Sequence, residues 1–432
     1  MSELRTVDVQ EIVACAGEAL SRVSSGAVKL DDVKVLSKDN RRNFIARATA
    51  LYADGSARPV ILKSTRSATY DPTAENVFQT SGLAKEWVAC AFLAARARGR
   101  GHGSALLAGD VARGIMVFED LGADLTSLVD PLLKGTAEEA EHALKLYAAA
   151  LGRLHADTVY CSDAHHETFQ TVFGSDRPRR QPGWRVEKEV ELVTGKLGGT
   201  PPVSELELLS SRLIDPGPWL TLIHGDPCPD NSLLVGGRIR LIDYEFARPS
   251  HAMLDGIYWR IGFPTCWCAG RTPDDVATRV DATYRMELGS SIPLALDDTA
   301  YHIELTYMSA VWLFTCLSWR LDQALKGDEK WGIWSIRGRL LWYLEAVIEM
   351  TAAASVLPGI NEAAQGWLRS CACAGPTQRP SGYTLPSQRN HSDQTATVRF
   401  GSFTPCCDVR VMSVHPPIAA AKRTWRHFSF VP

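Results

Sequence analysis

A chain of 432 residues exceeds a usual single domain, and its content of 45% hydrophobic and 22% charged residues is typical of a globular protein with a large core. The formal charge of -3 conceals an asymmetry, because residues 371–432 carry a net charge of +5 and the preceding residues a net charge of -8. An acidic body argues against nucleic acid as the main partner, since nucleic-acid binding favours a clustered basic face.

The sequence predicts a cytoplasmic protein without a membrane partner. Its N-terminus lacks the apolar run of a signal peptide, and the longest apolar stretch, residues 305–319, is shorter than a membrane span of about 20 residues. The eleven cysteines form neither a zinc-type ligand pattern nor a disulfide framework, and Cys15, Cys90 and Cys316 lie in apolar helical segments. We expect the cysteines to be reduced core residues.

The first third of the chain predicts a helix followed by a small antiparallel sheet. Apolar side chains recur at helical spacing over residues 7–20. Three short apolar runs then predict strands, the last two joined across the turn signal Asp54-Gly55, at residues 28–36, 44–52 and 60–63. A helix is predicted at residues 73–95, and residues 115–122 form an apolar strand that turns polar and ends in glycine.

The remaining elements are predominantly helical. Residues 157–218 are polar and irregular, with an evident loop at residues 176–183. Helical periodicity predicts helices at residues 137–156, 186–194, 204–213, 273–288, 297–323 and 330–350.

The most distinctive chemistry lies in the run His-Gly-Asp-Pro-Cys-Pro-Asp-Asn at residues 224–231. A buried strand is predicted at residues 219–223, and the glycine and two prolines after it force an irregular loop. The loop leaves the carboxylate of Asp226 at the strand end and offers the amide of Asn231 five residues later. A predicted hairpin over residues 232–242 then leads into Asp243.

These side chains suit phosphoryl transfer. Two carboxylates and one amide oxygen on adjacent loops match Mg²⁺, which takes oxygen ligands and is usually held by one or two carboxylates together with substrate phosphates. Asp226 would then be left free to accept a proton from a hydroxyl group.

The sequence of this segment resembles that of the aminoglycoside phosphotransferase and choline kinase group within the protein-kinase-like fold. In that group Asn follows the Asp of His-Gly-Asp by five residues, and a strand then ends in Ile-Asp. The resemblance covers roughly residues 25–350. It implies an α+β, two-lobed fold with a small antiparallel-sheet N-lobe and a mainly helical C-lobe. The implied reaction moves the γ-phosphoryl group of ATP, or of another nucleoside triphosphate, with Mg²⁺ to a hydroxyl of a small molecule.

The same resemblance implies roles for individual residues. Asp226 is expected to be the catalytic base, with Asn231 and Asp243 as metal ligands. Lys63, at the end of the third strand, matches the lysine that binds the nucleotide phosphates. Glu86, on the following helix, matches the glutamate that pairs with this lysine.

The resemblance also implies a hinge and two supporting acids. Backbone groups of the hinge residues would contact the adenine edge, and these residues are Phe118, Glu119, Asp120 and Leu121. Glu245 is expected to have a substrate or second-metal role, and Asp255 to brace a loop or helix N-terminus. His224 is expected to support the catalytic loop.

We therefore predict four segments: an N-terminal helix (residues 1–25), the N-lobe (26–120), the C-lobe with the catalytic loop (121–370) and a disordered or aberrant tail (371–432). The tail is rich in Pro, Ser, Thr, Gln and Arg and has no periodicity.

Two alternatives remain at this stage. Against a protein kinase stand Gly225, where those enzymes have arginine, and Tyr244-Glu245, where they have Phe-Gly. The second alternative is a non-catalytic pseudokinase that binds a nucleotide or a partner. In its favour, the turn at residues 37–43 has no glycine, whereas protein kinases cover the phosphates with a glycine-rich loop. Against a pseudokinase, each of the four polar positions that catalysis requires has a residue of the expected type.

Overall fold

The computed structural model describes residues 4, 6, 8–96, 101–123, 125–174 and 186–373. Their N-terminal portion contains a five-stranded sheet, and the remainder is mainly helical. The loop predicted at residues 176–183 lies outside the described residues, as does the predicted tail from residue 374 onward.

The N-terminal portion is a helix-flanked antiparallel sheet. Its elements are α1 (Val9–Val23), β1 (Val28–Val35), β2 (Asn43–Tyr52), β3 (Ala57–Thr65), α2 (Val77–Thr80), α3 (Gly82–Arg96), β4 (Leu106–Asp110) and β5 (Ile115–Glu119). The strands lie in the order β1-β2-β3-β5-β4, and all neighbours are antiparallel.

The two faces of this sheet have different surroundings. Side chains of a strand alternate between faces, and in β2 the buried set Phe44, Ala46 and Ala48 packs in one core with α1. Ile45 lies on the opposite face, directly across from Lys63 of β3. The sheet therefore buries one face against α1 and presents the lysine on the other.

The C-terminal portion begins after β5. Its elements are β6 (Thr126–Ser127), α4 (Val129–Lys134), α5 (Ala137–Asp157), α6 (Ser162–Phe173), α7 (Val186–Leu197), α8 (Val203–Ile214), β7 (Leu220–Ile223), β8 (Ser232–Val235), β9 (Arg238–Leu241), β10 (Arg248–His251), α9 (Met253–Gly256), α10 (Asp274–Leu288), α11 (Asp298–Lys326), β11 (Lys330–Trp331), β12 (Trp334–Ser335), α12 (Ile336–Ala354) and α13 (Pro358–Cys373). Short 3₁₀ helices occupy Gly217–Trp219, Pro229–Asn231 and Pro293–Leu296.

Small sheets in this portion position the loop between β7 and β8. Strand β7 pairs with β10, and β8 pairs with both β6 and β9. The β8–β9 hairpin turns at Gly236 and Gly237, whose φ angles of +55° and +75° suit a turn that side chains would strain. The amide of Ile242 donates to the carbonyl of Asn231 at 2.9 Å, which joins the end of the hairpin to the loop.

Helix α11 is the central helix of the C-terminal portion. It has 29 residues, and the apolar stretch at residues 305–319 is buried within it against the main core. Among the described residues, no helix combines the length and the apolarity that crossing a bilayer requires.

Three predicted regions differ from the structure. The helix predicted at residues 73–95 is divided into α2 and α3, because the hydroxyl of Ser81 accepts from the amide of Ala84 and caps a new helix. Helix α6 was not predicted, although Phe169 and Phe173 bury one face of it. The helix predicted at residues 330–350 begins only at Ile336, after the β11–β12 hairpin.

Helix α6 also contains a histidine that is expected to make the fold sensitive to acid. His165 is buried between Phe78 and Phe92, and its Nε2 has no hydrogen-bond partner among the described residues. Burial lowers the pKa of His165 to about 4.

Between about pH 6.5 and 4 the unfolded chain binds a proton that the folded chain excludes, so folding stability should fall as the pH falls. The total effect is about 3 kcal/mol in the free energy of unfolding. Denaturant unfolding at pH 7.5 and pH 4.5 should show this loss reduced in His165→Leu, whereas the partly exposed control His166→Gln should keep it. An equal acid loss in wild type and His165→Leu would contradict the prediction.

Candidate functional site

The lysine predicted to bind phosphates lies between two carboxylates. Lys63 is buried on β3, and its ammonium contacts the carboxylate of Glu86 on α3, as predicted. The same Nζ atom lies 2.5 Å from Oδ1 of Asp243, which is 180 positions later in the chain. The structure therefore joins the sheet of the N-terminal portion to the end of the β8–β9 hairpin.

The three charges influence one another strongly. Burial alone would lower the pKa of Lys63, but the carboxylates of Asp243 and Glu86 raise it above its usual value. Burial alone would raise the pKa of Asp243, but the nearby ammonium lowers it. Lys63 is thus held as a cation and Asp243 as an anion. Burial raises the pKa of Glu86, so Glu86 gains a proton more easily than Asp243 does.

Backbone hydrogen bonds hold the catalytic loop in place. The carboxylate of Asp255 accepts from the amides of His224 and Gly225, at 2.6 and 3.1 Å, which is the bracing role predicted for it. Nε2 of His224 lies 2.9 Å from the carbonyl of Ile242. Burial lowers the pKa of His224, which favours a neutral ring that donates this hydrogen bond. His224 therefore ties the loop to the hairpin, as expected for a supporting residue.

Gly225 cannot be replaced by a residue with a side chain without a clash. Its φ angle is +80°, and a Cβ atom would lie 2.5 Å from the carbonyl oxygen of Phe246. An arginine at this position, as in protein kinases, would not fit the observed backbone.

Asp226 lies at the start of the loop with a buried carboxylate. The hydroxyl of Thr265 donates to its Oδ1. Burial, together with the charges of Asp230, Asp243 and Glu245, raises the pKa of Asp226 to about 8 against the opposing hydrogen bond from Thr265. A carboxylate that titrates near neutral pH is well matched to general base catalysis, because it can both accept and release a proton.

Asn231 and Asp243 form a donor set that fits a hard divalent cation. Nδ2 of Asn231 donates to the carbonyl of Asp226 at 3.1 Å, which identifies Oδ1 as the atom that remains for a cation. Asp243 adds a carboxylate, and its φ angle of +66° turns it away from the regular strand. The fit is one of chemistry, since both donors are oxygens of the kind that Mg²⁺ prefers.

The predicted hinge residues follow the last strand of the sheet. Phe118 is 7% exposed and lies with Met116 in the main core. The amide of Glu119 donates to the carbonyl of Ala105 at 2.8 Å, and the hydroxyl of Ser104 donates to the carbonyl of Glu119. Both backbone groups of Glu119 are thus already engaged by the protein.

The next two hinge residues, Asp120 and Leu121, differ in their hydrogen bonds. The carboxylate of Asp120 accepts from Nε of Arg47 at 2.5 Å and from the amide of Gly122 at 2.9 Å, so it holds the chain after β5. The backbone amide of Leu121 has no hydrogen-bond partner among the described residues. Leu121 is therefore the predicted hinge residue best placed to contact a nucleobase.

Sequence reasoning missed the residues that line Asp226 from the segment before α10. Thr265 contacts the Asp226 carboxylate, and the indole of Trp267 donates to the carboxylate of Asp230 at 3.0 Å. The segment that holds both residues has no helical or strand periodicity, and it lies nearly forty positions from the catalytic loop. No signal in the sequence identifies this contact.

The expectation that all cysteines are reduced core residues is wrong for one pair. Cys228, in the catalytic loop, is joined by a disulfide to Cys266, with Cα atoms 5.5 Å apart. Six further cysteines are free and buried, in agreement with the expectation: Cys15, Cys90, Cys161, Cys268, Cys316 and Cys371. The pair was missed because a disulfide requires only spatial proximity, and the 38-residue separation follows no recognised framework.

Opening this disulfide is expected to destabilise the fold. A bond that closes a loop of this length contributes about 2–4 kcal/mol to the free energy of unfolding, mainly by restricting the unfolded chain. Denaturant unfolding of the oxidised protein with and without reductant should show that loss. The double variant Cys228→Ser/Cys266→Ser is the control, and it should not respond to reductant. Failure to recover a linked Cys228–Cys266 peptide from a non-reducing digest would contradict the prediction.

Comparison with known proteins identifies one family. Residues 44–282 match the family described as "Phosphotransferase enzyme family" (APH). None of the curated protein sequences matches the chain.

Several solved structures match at low identity. A choline/ethanolamine kinase family protein from Mesorhizobium loti is 15% identical with a TM-score of 0.40, over 78% of this chain and 92% of that one. Choline kinase from Cryptosporidium parvum is 13% identical with a TM-score of 0.47, over 83% and 100% of the two chains. Amicoumacin kinase hAmiN, in complex with AMP-PNP, Ca²⁺ and Ami, is 15% identical with a TM-score of 0.44, over 80% and 94%.

The family match extends from β2 to α10 and covers more than half of the chain. It includes every residue that the sequence predicts for the site, from Lys63 to Asp243. The predicted resemblance and the two-lobed, kinase-like α+β fold are thereby confirmed. The chain belongs to the phosphotransferase enzyme family.

Proposed function

We propose that this phosphotransferase moves the γ-phosphoryl group of ATP to a hydroxyl of a small molecule in the cytoplasm, with Mg²⁺ as the metal. Lys63 neutralises phosphate oxygens, and Glu86 orients its ammonium. Asn231 and Asp243 hold the cation. Asp226 orients the acceptor hydroxyl and takes its proton.

The observation that supports this proposal is the contact of Lys63 with Asp243, next to the hydrogen bond that joins Ile242 to Asn231 of the Asp226 loop. The direct contact between Lys63 and Asp243 brings the phosphate-binding group to the metal-binding group. In phosphoryl transfer the protein contributes mainly positioning and charge neutralisation, so these few groups suffice for the reaction.

The cation and Asp226 have different roles in the proposed reaction. When bound, Mg²⁺ supplies positive charge to the phosphate oxygens. Asp226, whose pKa of about 8 lies near neutral pH, accepts the hydroxyl proton as the acceptor oxygen attacks. The hydroxyl of Thr265, which donates to the Asp226 carboxylate, fixes the orientation of that group.

A small-molecule acceptor is favoured over a protein acceptor by the loop geometry. Protein kinases have arginine where this chain has Gly225, and the observed backbone has no room for one. The acidic character of the chain before residue 371 gives no reason to propose a nucleic-acid partner.

The test follows γ-labelled ATP with Mg²⁺ into a fractionated cell extract, with the purified protein compared with Asp226→Asn. We expect label in the small-molecule fraction with wild type and its loss with the variant. Label in the protein fraction would instead identify a protein kinase. Bound ATP without any transfer, in several extracts, would reject the proposed reaction in favour of a pseudokinase.

A further inference from the structure

Three backbone amides of the turn between β1 and β2, residues 36–42, donate hydrogen bonds within the protein. The amides of Leu36 and Ser37 donate to the carbonyl of Ile45 at 2.9 and 3.2 Å, and the amide of Arg41 donates to the carbonyl of Lys38 at 3.1 Å. A glycine-rich loop would present such amides to nucleotide phosphates. This turn has three fewer to offer, which leaves room for side chains to add phosphate contacts.

A buried arginine immediately after β3 supports the turn. The side chain of Arg66 is 4% exposed, and its guanidinium donates to the carbonyl of Lys38 and to the carboxylate of Asp39, at 3.3 and 3.4 Å. The amide of Arg66 also donates to the carbonyl of Arg42 at 2.7 Å. The backbone at Arg42 is therefore held in place by Arg66.

The side chain of Arg42 crosses from the turn to the segment after the predicted metal ligand. Its guanidinium contacts the carboxylate of Glu245, two residues beyond Asp243. The Arg42 side chain is 45% exposed and that of Glu245 is 9% exposed, so a half-exposed cation contacts a nearly buried anion. Burial raises the pKa of Glu245, and the guanidinium opposes that shift. In this structure the carboxylate of Glu245, for which a substrate or second-metal role is expected, contacts Arg42.

The charges around Arg42 favour a partner with phosphate oxygens. The cations Lys63 and Arg42 face the carboxylates of Asp243 and Glu245 on the same segment. A triphosphate that reaches Lys63 brings its outer oxygens toward this group of charges. A guanidinium is well suited to such oxygens because its planar fork donates two parallel hydrogen bonds.

We propose that Arg42 is a nucleotide-binding residue that leaves Glu245 and contacts the β- and γ-phosphates of the bound triphosphate. The side chain thereby replaces the backbone cradle of a glycine-rich loop, and Glu245 holds it near the site in the absence of nucleotide. The inference rests on the proposed function, because it requires a nucleoside triphosphate at Lys63.

The experiment measures binding of AMP-PNP and of AMP, each with Mg²⁺, to the full chain by titration calorimetry. Arg42→Ala should lower the affinity for AMP-PNP by about 10–100-fold, since hydrogen bonds to charged groups have effects of this size. The affinity for AMP should stay unchanged, because AMP lacks the phosphates in question. Arg42→Lys should recover part of the loss, since it keeps the charge without the fork.

Two further variants separate phosphate binding from structural support. Arg41→Ala removes a neighbouring exposed arginine of the same turn and should leave both affinities unchanged. Glu245→Gln weakens the competing contact, so it should raise the affinity for AMP-PNP. If the Arg42–Glu245 pair were only structural, Arg42→Ala and Glu245→Gln would both lower binding, and our proposal predicts effects in opposite directions.

Two other results would overturn the inference about Arg42. An equal loss of AMP and AMP-PNP affinity in Arg42→Ala would overturn the inference, because it would indicate a damaged turn. Unchanged AMP-PNP affinity would overturn it as well. The proposed function is judged separately: if the predicted affinities hold but no phosphoryl group is transferred, the reaction is rejected while the role of Arg42 stands.

Discussion

Replacement of Asp226 by asparagine is expected to lower kcat by about 10²–10⁴-fold, the usual contribution of a positioned general base. Asparagine keeps the size of the side chain and can still contact Thr265, but it cannot accept the proton of the acceptor hydroxyl. The KM for ATP should change little, because Asp226 acts on the acceptor and not on the nucleotide. Steady-state kinetics with a pure acceptor, once it is identified, measure both quantities.

The same variant should fold at least as well as the wild type. Burial raises the pKa of Asp226 to about 8, so at pH 7.5 the folded protein mostly binds a proton on this carboxyl that the unfolded chain has released, at a cost in stability. Asparagine has no charge to desolvate, so the free energy of unfolding at pH 7.5 should be equal or higher. Asp230→Asn is the matched control, because it removes a carboxylate from the same loop that contacts Trp267 and not Thr265. A similar loss of kcat in both variants would argue against Asp226 as the base.

Replacement of Asp243 by asparagine is expected to have the second large effect, a loss of kcat of about 10³-fold or more. Loss of a metal-binding carboxylate removes several kcal/mol of stabilisation from the charged transition state, and each 1.36 kcal/mol is about tenfold in rate. The variant should also need far more Mg²⁺, or Mn²⁺ in its place, for the activity that remains. Titration of activity against metal concentration measures this shift.

Calorimetry provides a readout for Asp243 that does not depend on turnover. Binding of AMP-PNP should lose its dependence on Mg²⁺ in Asp243→Asn. Lys63 also loses a charged partner, although its contact with Glu86 remains and should keep it protonated. Unchanged metal dependence of both binding and activity would show that Asp243 is not a ligand.

The family, the fold class and the phosphotransferase activity could be predicted from the sequence because local patterns encode them. The order of His224, Gly225 and Asp226, followed by Asn231 and a strand ending at Asp243, is a short-range pattern with definite chemistry. Alternating and helical apolar spacing predicted most strands and helices, since each element buries one face. The pairing of Lys63 with Glu86 was also predicted and is observed.

Some features of the site could not be predicted in this way. The hinge prediction named four consecutive residues, but the structure distinguishes them. The backbone of Glu119 and the carboxylate of Asp120 are engaged by other parts of the protein, whereas the Leu121 amide has no partner within the part of the chain that the structure describes. The proposed roles of Asp226, Asn231 and Asp243 remain predictions that the variants above test.

The family, the His-Gly-Asp loop and the order of the elements follow from residue types at short spacing, so they could be predicted without coordinates. The contacts of Thr265 with Asp226, of Cys266 with Cys228 and of Arg42 with Glu245 depend on the folded chain. These pairs are separated by dozens to hundreds of residues, and neither member has a local pattern that indicates its partner. Such contacts form only when packing brings distant segments together, so the partners of the catalytic side chains emerge with the fold and not with the motif.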